Sequence, residues 1–291
     1  MDSIVGHVSQ KKALRENPGV STWLLCGKRG IGKASLSHAF ARHVTHASDL
    51  EAHPDVIIID NDSAPIGIDK VRRMKNFLHM STVSADRKVA ILDSVDGLSD
   101  NTMNSMLKVL EEPPKNSLIL LISHNVHNVP IVIRSRCVVL NFHELSDDET
   151  QHIVGLNFPG MNVEKKAVVL YPGVPGMVTC DIEKEISLYE SFVSTIRTGA
   201  IPNNAESVLS TDIPIHKVEY LALKAMHDTI SNTLKLQKDN KKLNCIPHML
   251  ERYFKAQEIF TISRKLQVHK AATIYRITEI MTRLTVGYKE N

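Results

Sequence analysis

The sequence predicts an α/β domain of the P-loop class with a parallel five-stranded sheet, followed by a mostly helical second half. Three observations predict this fold class. Short apolar runs alternate with amphipathic helical patterns over residues 1–143. A glycine-rich loop follows the first of these runs and opens a helical pattern. After residue 143, strong strand patterns give way to helical ones.

Five apolar runs predict the strands of the sheet. Each run is short and continuously apolar, which is typical of parallel strands that are buried on both faces. The runs are Thr22–Cys26, Val56–Asp60, Val89–Asp93, Leu118–Ser123 and Val138–Phe142. Because strands and helices alternate along the chain, we expect a doubly wound sheet with helices on both faces.

Helical spacing of apolar residues fills the segments between these runs. One helix is predicted over residues 36–44, directly after the glycine-rich loop, and a second over residues 68–78. The clearest pattern covers residues 103–110 and ends at a proline pair. Either Ser99 or Asp100 could cap the start of this third helix.

The second half reads as a series of helices. Ser146 and Glu149 have the spacing of a capping box, so a short helix is predicted to begin there. The Gly- and Pro-rich segment 171–177 predicts a break. Further helices are predicted over about 182–197, 215–236, 247–267 and 269–286.

Composition and charge are those of an ordinary globular protein. The 291 residues are 43% hydrophobic and 23% charged, and the formal net charge of +3 does not indicate a dedicated nucleic-acid-binding face. The longest apolar runs are far shorter than the ~20 residues of a membrane span. The first residues lack the apolar core of a secretory signal, so we expect a cytoplasmic protein with no membrane association.

The cysteines do not have the spacing of a metal site. Cys26, Cys137, Cys180 and Cys245 are far apart in the sequence, and zinc ligands usually come in closely spaced pairs. The histidine pairs lack a third nearby ligand. We therefore expect no metal site.

The glycine-rich loop has the pattern of a phosphate-binding loop with one change. Gly27, Gly30 and Gly32 allow backbone N–H groups to turn toward phosphates, and Lys33 supplies a positive charge at a helix N-terminus. The pattern requires Ser or Thr after the lysine, because that hydroxyl is a Mg²⁺ ligand, but this chain has Ala34. No cofactor is therefore expected to be required, and weak binding of ATP or ADP stays open.

A second change lies at the end of the third apolar run. Asp93 stands where a Walker B aspartate holds Mg²⁺ through water. ATP-hydrolysing motors with a P-loop and a Walker B aspartate usually carry Glu at the next position to orient the attacking water, whereas this chain has Ser94. The alternative interpretation is a buried strand with Asp in its following turn. Two changes at positions that hydrolysis depends on indicate that the ATPase activity is lost.

The segment 103–142 carries a resemblance to a known family. Residues 107–114 read LKVLEEPP and residues 135–137 read SRC, about twenty residues later. Supporting matches are IVGH at 4–7, HPD at 53–55 and IGIDKVRRM at 66–74. In this order, and over most of residues 1–143, these motifs resemble the clamp-loader subunits of bacterial DNA polymerase III.

The resemblance implies a domain organisation and a set of partners. It implies an AAA+ α/β domain over residues 1–143, a small helical lid over 144–181 and an all-α collar domain over 182–291. It further implies a hetero-pentameric ring with a delta subunit and gamma/tau motor subunits, which loads a sliding clamp onto primer–template DNA. The chain would be a component of the polymerase III holoenzyme and not catalytic by itself.

Departures from the family pattern favour its non-hydrolysing delta prime type. Besides Ala34 and Ser94, Met177 stands where the motor type carries a sensor arginine. By resemblance, Arg136 of the SRC motif would act as an arginine finger in trans, on ATP held by a neighbouring motor subunit. The four-cysteine zinc module of many relatives is missing after the first helix, so no zinc is expected.

Three alternatives stay open at this point. The chain could be an active gamma/tau-like motor ATPase, which would require turnover despite both changed positions. It could be a separate P-loop module such as a kinase, which would leave the LEEPP and SRC motifs unexplained. Arg136 could also be a surface arginine that precedes a strand.

Overall fold

The structure is a computed structural model that describes residues 1, 3–60, 66–159, 164–200, 213–235, 246–266 and 268–284. The chain divides into two compact units, Met1–Val178 and Thr179–Asn291. This division lies close to the predicted domain boundary at 181/182. The predicted boundary at 143/144 falls inside the first unit and stays a prediction.

Five parallel strands form the sheet of the first unit, as the sequence predicts. They are β1 Thr22–Cys26, β2 Val56–Ile59, β3 Lys88–Leu92, β4 Ser117–Ser123 and β5 Val138–Asn141. Their order across the sheet is β2-β3-β4-β1-β5, and every neighbouring pair is parallel. The middle strand β4 is buried along its whole length because branched apolar side chains fill both of its faces.

Helices connect and follow the strands. In the first unit they are α1 Val8–Glu16, α2 Lys33–Thr45, α3 Ile68–His79, α4 Asp100–Glu111, α5 Ile131–Arg134, α6 Asp147–Asn157 and α7 Glu164–Leu170. In the second unit they are α8 Ile182–Thr198, α9 Ile215–Lys235, α10 Ile246–Leu266 and α11 Lys270–Thr282. The sequence pattern missed α1 and the four-residue α5, which is too short to show helical spacing.

Two predicted helix starts are confirmed by their caps. The side chain of Ser99 accepts a hydrogen bond from the backbone N–H of Thr102 at the start of α4. Ser146 and Glu149 form a capping box at the start of α6, with both reciprocal bonds present. These caps satisfy backbone donors that the first turn of a helix leaves unpaired.

One expectation about the sheet is wrong. The run that forms β5 was expected to be buried on both faces, but Val138 and Val139 are 45% and 38% exposed. The reason is position, because β5 is an edge strand that pairs only with β1. An apolar run does not reveal whether a strand lies in the middle of a sheet or at its edge.

The HPD segment contains a buried ion pair. The carboxylate of Asp55, which is 0% exposed, accepts hydrogen bonds from the backbone N–H groups of Val83, Ser84 and Ala85 and from Lys88 Nζ at 3.0 Å. Burial by itself would raise the pKa of Asp55. The hydrogen bonds from the Ser84 and Ala85 amides and from Lys88 outweigh it and hold the pKa well below its ordinary value. Asp55 thus ties the start of β2 to the start of β3.

The second unit is built from α8, α9, α10 and α11. It also contains a buried ion pair, in which Lys217 Nζ lies 2.5 Å from Glu185 Oε1 and joins α9 to α8. Thr179 donates to the same carboxylate oxygen at 2.8 Å. In the described residues, no helix combines the length and the apolar character needed to cross a membrane.

We predict that Asp55→Asn lowers the free energy of unfolding of the first unit by about 3–5 kcal/mol, because it leaves the buried ammonium of Lys88 without a counter-charge. Urea unfolding followed by the fluorescence of Trp23, the one tryptophan of the chain, measures this change. Asp86→Asn, an exposed substitution in the same loop, is the control and should have little effect.

The same pair predicts a pH dependence. Because the pKa of Asp55 is depressed in the folded state, its stabilising contribution is complete above about pH 4 and declines as the pH falls further. The stability difference between the native chain and Asp55→Asn should therefore shrink below that pH. A difference that stays constant down to acid unfolding would contradict the assignment.

Candidate functional site

The carboxyl edge of the sheet brings the predicted P-loop and Walker B positions together. The glycine-rich loop follows β1, Asp93 follows β3, and Ser123 ends β4, which lies between them. Cys26 and Ser123 are opposite each other in the register of β1 and β4. Because all strands are parallel, these three chain segments meet at one edge.

Lys33 lies buried at the start of α2 and contacts its own loop. Its side chain is 3% exposed, and Nζ donates to the carbonyl oxygens of Gly27 at 2.7 Å and Lys28 at 2.6 Å. Burial lowers the pKa of Lys33 to about 8, and the nearby carboxylates of Asp93 and Asp96 oppose this shift. Lys33 and Asp93 therefore share one electrostatic environment.

The turn Pro175–Met177 covers the glycine-rich loop. The backbone N–H of Gly176 donates to the carbonyl of Gly30 at 2.8 Å, and Met177 is buried. Gly30 has φ +84°, and a Cβ on it would lie 2.8 Å from Met177 Cγ, so this position requires glycine. The residue at the predicted sensor position thus packs against the P-loop.

A third contact to the loop comes from α1. His7 precedes this helix, and its Nε2–H donates to the carbonyl of Ile31 at 2.5 Å. Burial lowers the pKa of His7, and the hydrogen bond opposes this shift. Sequence reasoning used His7 only as part of the IVGH match and did not predict this contact, since no spacing rule joins it to the loop.

The residues at the start of α2 do not fit a magnesium-bound nucleotide. Ala34 has no ligand atom, and the next residue, Ser35, is exposed. Ser37 is one turn further along and donates its hydroxyl to the carbonyl of Lys33 at 2.9 Å. Because Mg²⁺ takes oxygen ligands in an octahedral arrangement, loss of the hydroxyl at position 34 removes the protein's direct contribution to that shell.

Asp93 and Ser94 contact His124, which sequence reasoning did not identify. Ser94 has φ +65°, and its Oγ lies 3.0 Å from His124 Nε2. Asp93 Oδ1 lies 3.5 Å from the same nitrogen. In a nucleophilic triad the acid and the nucleophile contact different ring nitrogens, so this arrangement is not a triad.

Arg136 lies at the other end of the strands, the amino edge, where the parallel strands begin. It precedes β5, and Glu111, its ion-pair partner, ends α4 shortly before β4 begins. Arg136 Nε donates to Glu111 Oε1 at 2.8 Å, and Nη1 donates to the carbonyl of Val132 at 2.6 Å. Since β4 and β5 are both parallel to β1, Arg136 and the P-loop are at opposite edges.

The described residues offer no metal site. No group of three or more His, Cys, Asp or Glu side chains that could hold a metal ion occurs within the described ranges. Burial raises the pKa of Cys26 to about 11 and that of Cys137 to about 12, which disfavours the thiolate form that binds metals. Cys180 is exposed, and Cys245 lies outside the described residues.

A family model matches most of the first unit. The model of the family described as "DNA polymerase III, delta subunit" matches residues 8–146. The delta' subunit of DNA polymerase III from Buchnera aphidicola (Baizongia pistaciae) is 30% identical over an alignment of 131 positions that covers 43% of this chain and 38% of that protein. The delta' subunit from Pseudomonas aeruginosa is 33% identical over an alignment of 134 positions that covers 40% of this chain and 41% of that protein.

A gamma subunit matches over a longer range at lower identity. The DNA polymerase III subunit gamma from Buchnera aphidicola (Schizaphis graminum) is 23% identical over an alignment of 288 positions that covers 92% of this chain and 75% of that protein. The match thus spans well under two thirds of the two delta' relatives and most of this gamma relative. Together with the parallel sheet and its glycine-rich loop, these matches show that residues 8–146 resemble the subunits of the DNA polymerase III clamp loader.

Proposed function

We propose that the chain is a non-hydrolysing, delta prime-type clamp-loader subunit that supplies Arg136 in trans to ATP held by a gamma/tau motor subunit. In this proposal it sits in a cytoplasmic hetero-pentameric ring beside a delta subunit, and the ring loads the sliding clamp onto primer–template DNA. The observation that carries the proposal is the position of Arg136 at the sheet edge opposite its own P-loop.

The length of the sheet supports action in trans. β1 has five residues and therefore spans about 16 Å, and the P-loop begins beyond its far end. An arginine side chain extends about 7 Å from its Cα, because it is a short zigzag of bonds that are each about 1.3–1.5 Å long. Arg136 therefore does not reach phosphates in its own loop and would serve a loop on another subunit.

The surroundings of Arg136 support an interface with another subunit. Large apolar side chains are exposed on both sides of it in the sequence: Ile131, Val132, Val138 and Val139. A concentration of exposed apolar residues on a folded domain is typical of a protein interaction surface. A guanidinium in such a surface carries a permanent charge, so it could stabilise the charge that develops on a transferring γ-phosphoryl group.

The geometry of the P-loop supports a non-hydrolysing subunit. Ala34 provides no Mg²⁺ ligand, and Ser94 contacts His124 at the position of the expected glutamate. Gly176 and Met177 cover the loop. Each of these features weakens one requirement of phosphoryl transfer, namely metal binding, water orientation or access to the phosphates.

The second unit has a surface suited to the collar of a ring. Four large apolar residues of α10 are exposed, and they form two pairs whose members are four positions apart and therefore adjacent on the helix surface. They are Leu250, Phe254, Ile262 and Leu266. The side chain of Phe254 is 61% exposed, which is unusual for an aromatic residue and supports contact with a partner helix.

A second candidate function is that of an active motor subunit. The gamma relative favours it, because the match covers 92% of this chain. Under this alternative the P-loop of this chain would bind and hydrolyse ATP itself. The two functions differ in whether ATP is hydrolysed at the P-loop of this chain or only at the P-loops of the motor subunits. A substitution in the P-loop of this chain therefore distinguishes them.

We predict that Arg136→Ala lowers the clamp- and DNA-stimulated ATPase rate of the reconstituted ring by about a third or more, because one of its three motor sites loses an arginine finger that contributes about 10³-fold or more there. The other motor sites keep their own residues and continue to turn over. Steady-state ATP hydrolysis by purified rings measures the effect. Arg73→Ala, an exposed arginine on α3, is the control, and a native rate for Arg136→Ala would reject the finger.

A substitution in the P-loop tests the lost ATPase activity. Lys33→Met keeps most of the side-chain volume but removes the charge that phosphate binding requires. We predict that rings with this substitution hydrolyse ATP at the native rate and that the isolated native chain has no measurable turnover. Lys28→Met, in the same loop, is the matched control. Turnover by the isolated chain that Lys33→Met abolishes would favour the motor alternative.

A substitution in α10 tests the collar surface. Phe254→Asp should weaken assembly with motor and delta subunits by about thirtyfold or more, because a central aromatic residue often contributes about 2 kcal/mol to an interface. Sedimentation of the mixed subunits measures assembly, and circular dichroism verifies the fold. Lys255→Asp, at an adjacent exposed position, is the control. Full assembly of Phe254→Asp would exclude this surface from the collar.

A further inference from the structure

The side chain of Glu111 holds Arg136 by one edge of its guanidinium. Arg136 Nε donates to Glu111 Oε1 at 2.8 Å, and Nη2 lies 2.5 Å from the same oxygen. We propose that Glu111 is a positioning residue that orients Arg136 for phosphate binding. The inference rests on the proposed function, since it concerns the same arginine.

The arrangement leaves the outer edge of the guanidinium available. Arginine has five N–H donors, one on Nε and two on each Nη. Glu111 takes the Nε edge, and the carbonyl of Val132 accepts from Nη1 at 2.6 Å. The hydroxyl of Ser135 is 3.4 Å from Nη1 and makes only a long contact. These contacts account for three of the five donors and leave one N–H on each Nη, and donors on the two Nη atoms can bind two phosphate oxygens.

Glu111 is itself held on a rigid element. It is the last residue of α4, and the next N–H, that of Glu112, closes the helix by donating to the carbonyl of Lys108 at 3.1 Å. Two prolines follow and restrict the backbone. Val109 and Leu110, which directly precede Glu111, are buried in the core of the first unit. The backbone at Glu111 is therefore held in place, and the glutamate side chain reaches Arg136 from a rigid element.

The charge of Glu111 is unfavourable for the helix that carries it. A carboxylate in the last turn opposes the partial negative charge of a helix C-terminus. The Arg136 side chain is 32% exposed and that of Glu111 47%, and ion pairs at such positions contribute little to stability. Helix stability therefore does not account for Glu111 here, whereas orientation of Arg136 does.

The test uses the reconstituted ring with Glu111→Ala and Glu111→Gln, each in the native and the Arg136→Ala background. Glu111→Ala should lower the stimulated kcat by between half and all of the loss seen with Arg136→Ala, with KM for ATP unchanged, because misplacing a catalytic group acts on the transition state. Glu111→Gln should lie between, since its amide oxygen still accepts from Nε. In the Arg136→Ala background neither change should reduce the rate further.

The matched control is Glu112→Gln, at the neighbouring position, which should leave the rate at the native value. A native rate for Glu111→Ala would overturn the proposal. A raised rate would overturn it too, because it would mean that Glu111 keeps the arginine away from the phosphates. An equal loss in both backgrounds would show that Glu111 acts independently of Arg136. A native rate for Arg136→Ala itself would reject the proposed function, and this inference with it.

A measurement that does not depend on ATP hydrolysis tests the contact between Glu111 and Arg136 directly. In the isolated chain, the Nε proton of Arg136 should exchange slowly with solvent because Nε–H donates to Glu111. NMR measures this exchange rate. Glu111→Ala should speed this exchange at least about tenfold, which corresponds to loss of a charge-assisted hydrogen bond. Glu112→Gln should not change it. Fast exchange in the native chain would show that Glu111 does not hold the arginine.

Discussion

β4 lies in the middle of the parallel sheet, and its pairing with both neighbours sets the arrangement of the first unit. β4 pairs with β1 on one side and β3 on the other and is buried along its length. Its place separates the P-loop, after β1, from Asp93, after β3, by one strand. Because neighbouring strands are about 4.8 Å apart, Lys33 and Asp93 stay close enough to influence each other's charge.

Because all strands are parallel, their carboxyl ends form one edge of the sheet and their amino ends form the other, and different side chains gather at each. At the carboxyl edge, the chain's own groups contact the P-loop: Gly176 binds the Gly30 carbonyl, and Lys33 binds carbonyls of its own loop. At the amino edge, Glu111 and Arg136 meet beside exposed apolar residues. Because its own residues cover the glycine-rich loop and Arg136 lies at the other end of the strands, the arrangement supports the proposal that Arg136 acts on a neighbouring subunit.

Features that depend on a few neighbouring residues were predicted well from the sequence. The caps at Ser99 and Ser146 involve residues three positions apart, and the strands were located to within about a residue or two. The burial of β5 was predicted wrongly, because edge and middle strands can share one apolar pattern. The roles of His7 and His124 were missed because each contacts residues far away in the sequence.

The P-loop class, the alternation of strands and helices, the helix caps and the two changed positions, Ala34 and Ser94, can all be read from the amino-acid sequence. The strand order, the cover that Met177 forms over Gly30, and the pairing of Glu111 with Arg136 across 25 positions emerge only when the chain is folded. The two groups of features differ in the sequence distance over which their interactions act. Helical spacing and caps act within about four residues, whereas strand order follows from the packing of the whole core.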